Sequence, residues 1–71
     1  MSSAVLKIDG MTCNHCVAAV ERALKDQQGV HSAEVDLKQG IASVEFDQGA
    51  VATDQLIAAV EEEGYSARVS G

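Results

Sequence analysis

The 71-residue chain has no proline and no tryptophan, one tyrosine, one phenylalanine and two cysteines. The missing prolines argue against a thioredoxin-type dithiol site, which as a family relies on an aromatic and a proline around its cysteines and a cis-proline facing them. Aromatics make up only 3% of the chain against 46% apolar residues overall, so the core must come from Val, Leu, Ile and Ala with single contributions from Phe46 and Tyr65. Two cysteines are too few for the disulfide framework of small secreted domains, and a bridge between these two would close a loop too short to stabilise much. Five Lys and Arg stand against eleven Asp and Glu, a net charge of -6, which argues against a surface built for nucleic-acid phosphates. No apolar run approaches the length of a membrane span, and MSSAVLKIDG lacks the basic and apolar segments of an export signal. The expectation is a soluble protein of the reducing cytoplasm with no direct membrane insertion.

What is present reads as one small domain over residues 1–71, with no linker, low-complexity tract or internal repeat to divide it. Leu6 and Ile8 alternate with Lys7 and Asp9, the two-residue period of a half-buried strand over 5–9 that ends at Gly10. From Asn14 the apolar residues Val17, Val20 and Leu24 recur at helical spacing, with Glu21 and Lys25 paired on another face. Thr12 or Asn14 is expected to cap this helix and Gly29 to end it. Ala33-Val35-Leu37 and Ala42-Val44-Phe46 alternate as two strands joined through Lys38-Gln39-Gly40, a hairpin. Thr53 then caps a second helix, with Asp54 in its first turn, Leu56, Ile57 and Val60 facing inward and Gly64 as terminator. Tyr65, Ala67 and Val69 form a fourth strand. The order strand, helix, strand, strand, helix, strand predicts an α+β ferredoxin-like βαββαβ sandwich, a four-stranded antiparallel sheet with both helices on one face. Lys7, Glu34, Asp36, Ser43 and Glu45 are left for the wet face. The same topology brings the loop of Cys13 and the loop of Tyr65 to one end of the molecule.

The chemistry sits in GMTCNHC, residues 10–16. A dithiol oxidoreductase could use a Cys-x-x-Cys at a helix start, where the dipole lowers a thiol pKa, but the supporting prolines are missing. Closed zinc sites take four ligands. Only His15 and His31 could complete such a set here, and both are expected at solvated positions, His31 far from the loop. Two thiolates suffice for a soft monovalent ion, and Cu(I) is the physiological one that sulfur selects. Cys16, expected in the first helical turn, is favoured as thiolate by the free N–H groups and the dipole; Cys13, just outside, is expected to be the more exposed thiol. Met11 could offer a thioether, yet its place at the strand end suits a flexible core filler beneath the loop.

On these residues the chain resembles the heavy-metal-associated domain family, most of all its free bacterial copper chaperones. The signature Gly-Met-x-Cys-x-x-Cys is complete as Gly10, Met11, Thr12, Cys13, Asn14, His15 and Cys16, and the Gly-Tyr after the second helix is Gly64-Tyr65. The likeness spans essentially the whole chain. It implies that Cys13 and Cys16 bind Cu(I) and deliver it to the soluble domains of a copper-transporting P-type ATPase, an incoming thiolate displacing the chaperone's sulfurs one at a time. Tyr65 matches the position beside the metal loop in bacterial members, where its ring would shield the site and its hydroxyl could meet the thiolates. Zinc- and cadmium-handling members tend to carry Asp before the first cysteine, where this chain has Thr12, so the resemblance favours copper.

The alternatives are the N-terminal metal-binding domain of a copper ATPase and a mercury- or zinc-binding member of the same family. The initiator Met and the finish at Gly71 favour a free protein, and the missing export signal argues against the periplasmic mercury binders. The expected function is binding and transfer rather than catalysis. A monomer is expected, with a copper-bridged dimer physically open because both thiols are accessible. The run Glu61-Glu62-Glu63 is either a solvated face or an aid to docking a basic partner.

Overall fold

The computed structural model describes residues 2–70, and in it the alternation about Leu6 and Ile8 becomes a strand, β1 (Ser2–Asp9). It starts upstream of the apolar pattern because its antiparallel pairing with a later strand continues as far as Ser2 opposite Phe46. There follow α1 (Asn14–Lys25), β2 (Val30–Asp36), β3 (Ile41–Phe46), α2 (Thr53–Glu62) and β4 (Ser66–Val69). The sheet order is β2-β3-β1-β4, with every neighbouring pair antiparallel, so the expected ferredoxin-like arrangement is the one observed.

Period-two patterning explains which face is covered. Leu6, Ile8, Ala33, Ala42, Val44 and Phe46 of the strands form one cluster with Val20 and Leu24 of α1 and Leu56 and Val60 of α2, which sets both helices on the same side. Leu6, Leu24, Leu56, Val20 and Val60 are fully enclosed. Glu34, Ser43 and Glu45 remain exposed on the opposite face. In β2 the alternation is interrupted by a register shift between Val30 and Ser32. The shift leaves His31 outside the ladder and exposed, and lets Val30 face Phe46.

Helix ends depart from expectation in ways that matter for the site. Cys13, with extended backbone (φ -156, ψ 174), is the N-cap of α1 in place of Thr12 or Asn14, and its side chain makes no capping hydrogen bond. Asn14 is the first helical residue. The Cys16 and Val17 N–H groups both donate to Cys13 O, so the helix begins on a backbone carbonyl alone. α1 stops at Lys25 with Asp26 as cap, short of Gly29. Gly29 does adopt a positive φ of 96, but its role is close approach: a Cβ there would lie 2.7 Å from Ala50 Cβ in the loop before α2. Ala52, not Thr53, precedes α2, and its N–H donates to Gln55 Oε1 at 2.8 Å, so the local fit of a glutamine side chain sets the start. Gly64, with φ 95, follows the cap Glu63 as anticipated. Tyr65 stands just before β4 and not within it, because pairing of β4 with β1 begins at Ser66 opposite Asp9.

Candidate metal site

Three turns meet at one end of the sheet. The β2–β3 turn is tied to β1 by the Ile8 N–H donating to Gly40 O at 2.7 Å, and Lys7 Nζ donates to Gln39 O at 3.3 Å. This holds the end of β1 in place two residues before the chain reverses at Gly10, whose φ is 103. Met11 then turns inward and packs against the core cluster. Thr12 and Cys13 remain exposed, and the first turn of α1 carries His15 outward and Cys16 to a half-buried position.

Both cysteines are free thiols, with Sγ atoms 3.8 Å apart. Thr12 Oγ1 lies 3.9 Å from Cys16 Sγ. The Cys16 thiol is lowered from 9.0 to about 6, first by backbone hydrogen bonding from Thr12, then by the Tyr65 side chain; burial opposes this, and the backbone and side chain of Cys13 add lesser help. The Tyr65 hydroxyl is pushed up in turn, chiefly because it serves the Cys16 sulfur as a donor, with burial and the nearby negative groups adding to this. It bears on that sulfur without reaching the geometry of a close hydrogen bond. The free N–H groups of the first helical turn are the source expected from the sequence; the leading influence instead comes from the Thr12 backbone, one residue before the N-cap Cys13, and from the Tyr65 side chain across the loop.

Of the residues singled out in the sequence, Met11, Thr12, Cys13, His15, Cys16 and Tyr65 lie on the two loops that meet here or on the helical turn they lead into. His31 does not. It neighbours Val30, which faces Phe46, which faces Ser2, at the opposite end of β1 from the thiols. One residue was seen only as a motif letter: a Cβ on Gly10 would lie 3.3 Å from Tyr65 Cδ1, so the ring rests on that glycine. The signal was available in the paired occurrence of Gly10 and Gly64-Tyr65, but contact between them follows only from the folded topology.

The donor set can be compared with metal chemistry directly. Among the described residues no group of three or more His, Cys, Asp and Glu side chains converges, which leaves two sulfurs where closed zinc sites use four ligands. With metal–thiolate bonds of about 2.3 Å, a linear bridge needs sulfurs roughly 4.6 Å apart. The observed 3.8 Å therefore has to widen by less than an ångström, within reach of side-chain rotation at exposed Cys13.

Two free thiols at the start of the first helix of a ferredoxin-like domain, one exposed and one half-buried, are a donor pair that could hold a soft metal. The chain belongs to the heavy-metal-associated domain family, whose model matches residues 5–66. Among its curated relatives is a protein named Copper chaperone CopZ from Staphylococcus aureus (strain bovine RF122 / ET3-1), 48% identical over 65 residues, covering 92% of this chain and 96% of the relative. A solved structure described as CopZ metallochaperone superposes with a TM-score of 0.92 at 43% identity, covering 94% of this chain and all of that one. A copper-binding domain from HMA7, a P-type ATPase, superposes with a TM-score of 0.98 at 34% identity, covering 100% of this chain and 96% of that one. No helix among the described residues is long and apolar enough to cross a membrane.

Proposed function

We propose that this chain is a cytoplasmic copper chaperone, not an enzyme, that holds Cu(I) between the Cys13 and Cys16 thiolates and passes it to the soluble domains of a copper-transporting P-type ATPase. The observation that carries the reading is the pairing of two accessible sulfurs 3.8 Å apart with a Cys16 thiol lowered to about 6, so that one sulfur is already anionic at neutral pH. Soft thiolates select Cu(I), and an ion held by two of them has coordination positions to spare. Copper-chaperone relatives over nearly the full length support the same cargo.

Transfer then needs no change of oxidation state. Cys13, the exposed sulfur, yields to a partner thiolate first: one copper–sulfur bond forms as one breaks. Cys16 keeps its hold from the helix turn until a second partner thiolate replaces it, and the two freed sulfurs remain as thiolates or take up protons from water. In the metal-free thiolate, the Thr12 backbone and Tyr65 stabilise the charge on Cys16. Cys13 could equally meet a second copy of the chain, giving a copper-bridged dimer that sedimentation with and without Cu(I) would detect.

The deciding experiment is an anaerobic titration with Cu(I) and with Zn²⁺ against calibrated chelators. One tightly held Cu(I) per monomer is expected, lost in Cys13→Ser and in Cys16→Ser, with much weaker zinc. His15→Ala should bind as the parent does. Tighter zinc than copper, or retention of copper without either cysteine, would remove the proposal.

A further inference from the structure

We infer that Gly10 is a positioning residue for the thiol site: lacking a Cβ, it seats the Tyr65 ring against the β1–α1 turn, and the seated ring screens Cys16 while leaving Cys13 open. The inference rests on the metal-site reading above and deepens it.

Two glycines with positive φ bound this arrangement, Gly10 at 103 and Gly64 at 95, and they differ in what surrounds them. A Cβ at Gly64 would meet nothing within 4 Å, so Gly64 serves only to reverse the chain after α2. A Cβ at Gly10 would stand 3.3 Å from Tyr65 Cδ1, inside ordinary carbon contact of about 3.5–4.0 Å. The ring is thus laid directly on the glycine, with Met11 anchored in the core immediately after it and Tyr65 itself partly buried against that core. Displacing the ring moves the one aromatic side chain at this end of the molecule; Phe46 is paired with Ser2 at the other. Cys16 is half-buried and Cys13 exposed although they sit one turn apart, the asymmetry that a ring seated over this turn would produce.

The seat can be tested on the metal-free protein, which separates its fate from that of the copper reading. In a Cys13→Ser background Cys16 is the sole thiol, and its rate of alkylation by iodoacetamide is read at the high-pH plateau, where ionisation no longer contributes. Tyr65→Ala should raise that rate, and Gly10→Ala should raise it about threefold, a modest coupling for side chains in contact. In the Tyr65→Ala protein the added Gly10→Ala change should have no further effect. Acrylamide quenching of the single tyrosine should increase in Gly10→Ala, an effect easily read without tryptophan. Equal acceleration with and without the tyrosine, no acceleration by Gly10→Ala, or an unchanged rate in Tyr65→Ala would each overturn the inference. If Gly10→Ala does not fold, Gly10→Ala/Tyr65→Ala decides: recovery of the native circular dichroism spectrum supports the seat, and continued unfolding shows that Gly10 serves the backbone alone.

Discussion

Thr12 acts on Cys16 twice, through a hydroxyl 3.9 Å from the sulfur and through its backbone, and the backbone is the larger influence on the thiol. A change confined to the Thr12 side chain should therefore leave the thiol nearly as acidic. In a Cys13→Ser background, alkylation of Cys16 should rise with a midpoint well below the ordinary 9.0, shifted up from about 6 only by the loss of the Cys13 sulfur, the least of its influences, and Thr12→Val should hardly move it. Tyr65→Phe, which removes the second influence, should raise the midpoint. A midpoint near the ordinary 9.0 in the parent would contradict this account. The sign for stability follows. Because the folded thiol lies below its unfolded value, the thiolate's contribution is complete above about 9, declines between the two values and is gone once pH falls below about 6.

Thr12→Asp should change the metal preference. The carboxylate would add a hard oxygen donor next to Cys13, which suits Zn²⁺ better than Cu(I), and its charge would oppose the Cys16 thiolate. Competition titrations should show zinc gaining on copper relative to the parent. An unaltered ratio would mean that residue 12 cannot reach the ion.

Leu56 is fully enclosed between α2 and the sheet. Leu56→Ala should cost about 2–5 kcal/mol by urea denaturation, the range for removing a buried leucine, and a domain this small has little more than that to lose. A loss below about 1 kcal/mol would show that the site collapses around the smaller side chain.

Gly29 answers to a backbone conformation and a contact together. Gly29→Ala meets a positive φ of 96 and an Ala50 Cβ at 2.7 Å. It should destabilise by about 1–3 kcal/mol, and Ala50→Gly in the same chain should restore only part, since the contact is relieved and the φ is not. Full restoration would assign the whole effect to the contact.

Glu61 and Glu62 lie at the C-terminal end of α2, where no basic residue occupies the last turn. Glu61→Lys with Glu62→Lys should stabilise the helix by a few tenths of a kcal/mol through its dipole, yet slow copper transfer to a basic acceptor at low salt. Thermal melts and stopped-flow transfer read the two effects separately. A rate that does not respond to the reversal would leave the acids as a solvated face.

The sequence by itself determined the six elements, their order and the covered face of the sheet, because each is a local period: Leu6 and Ile8 two apart, Val17, Val20 and Leu24 three and four apart. It also determined the thiol pair, since Cys13 and Cys16 lie within one helical turn and need no distant partner to come together. Only the tertiary structure decided the caps, the shift that turns His31 outward, and the meeting of Gly10 with Tyr65. The register shift and the Gly10–Tyr65 contact join residues far apart in the chain, and the caps, though local, turn on which backbone carbonyl or glutamine side chain satisfies the first N–H groups and not on the type of the residue at the cap. Periodicity records which side of an element is apolar; it does not record which atom waits on the other side.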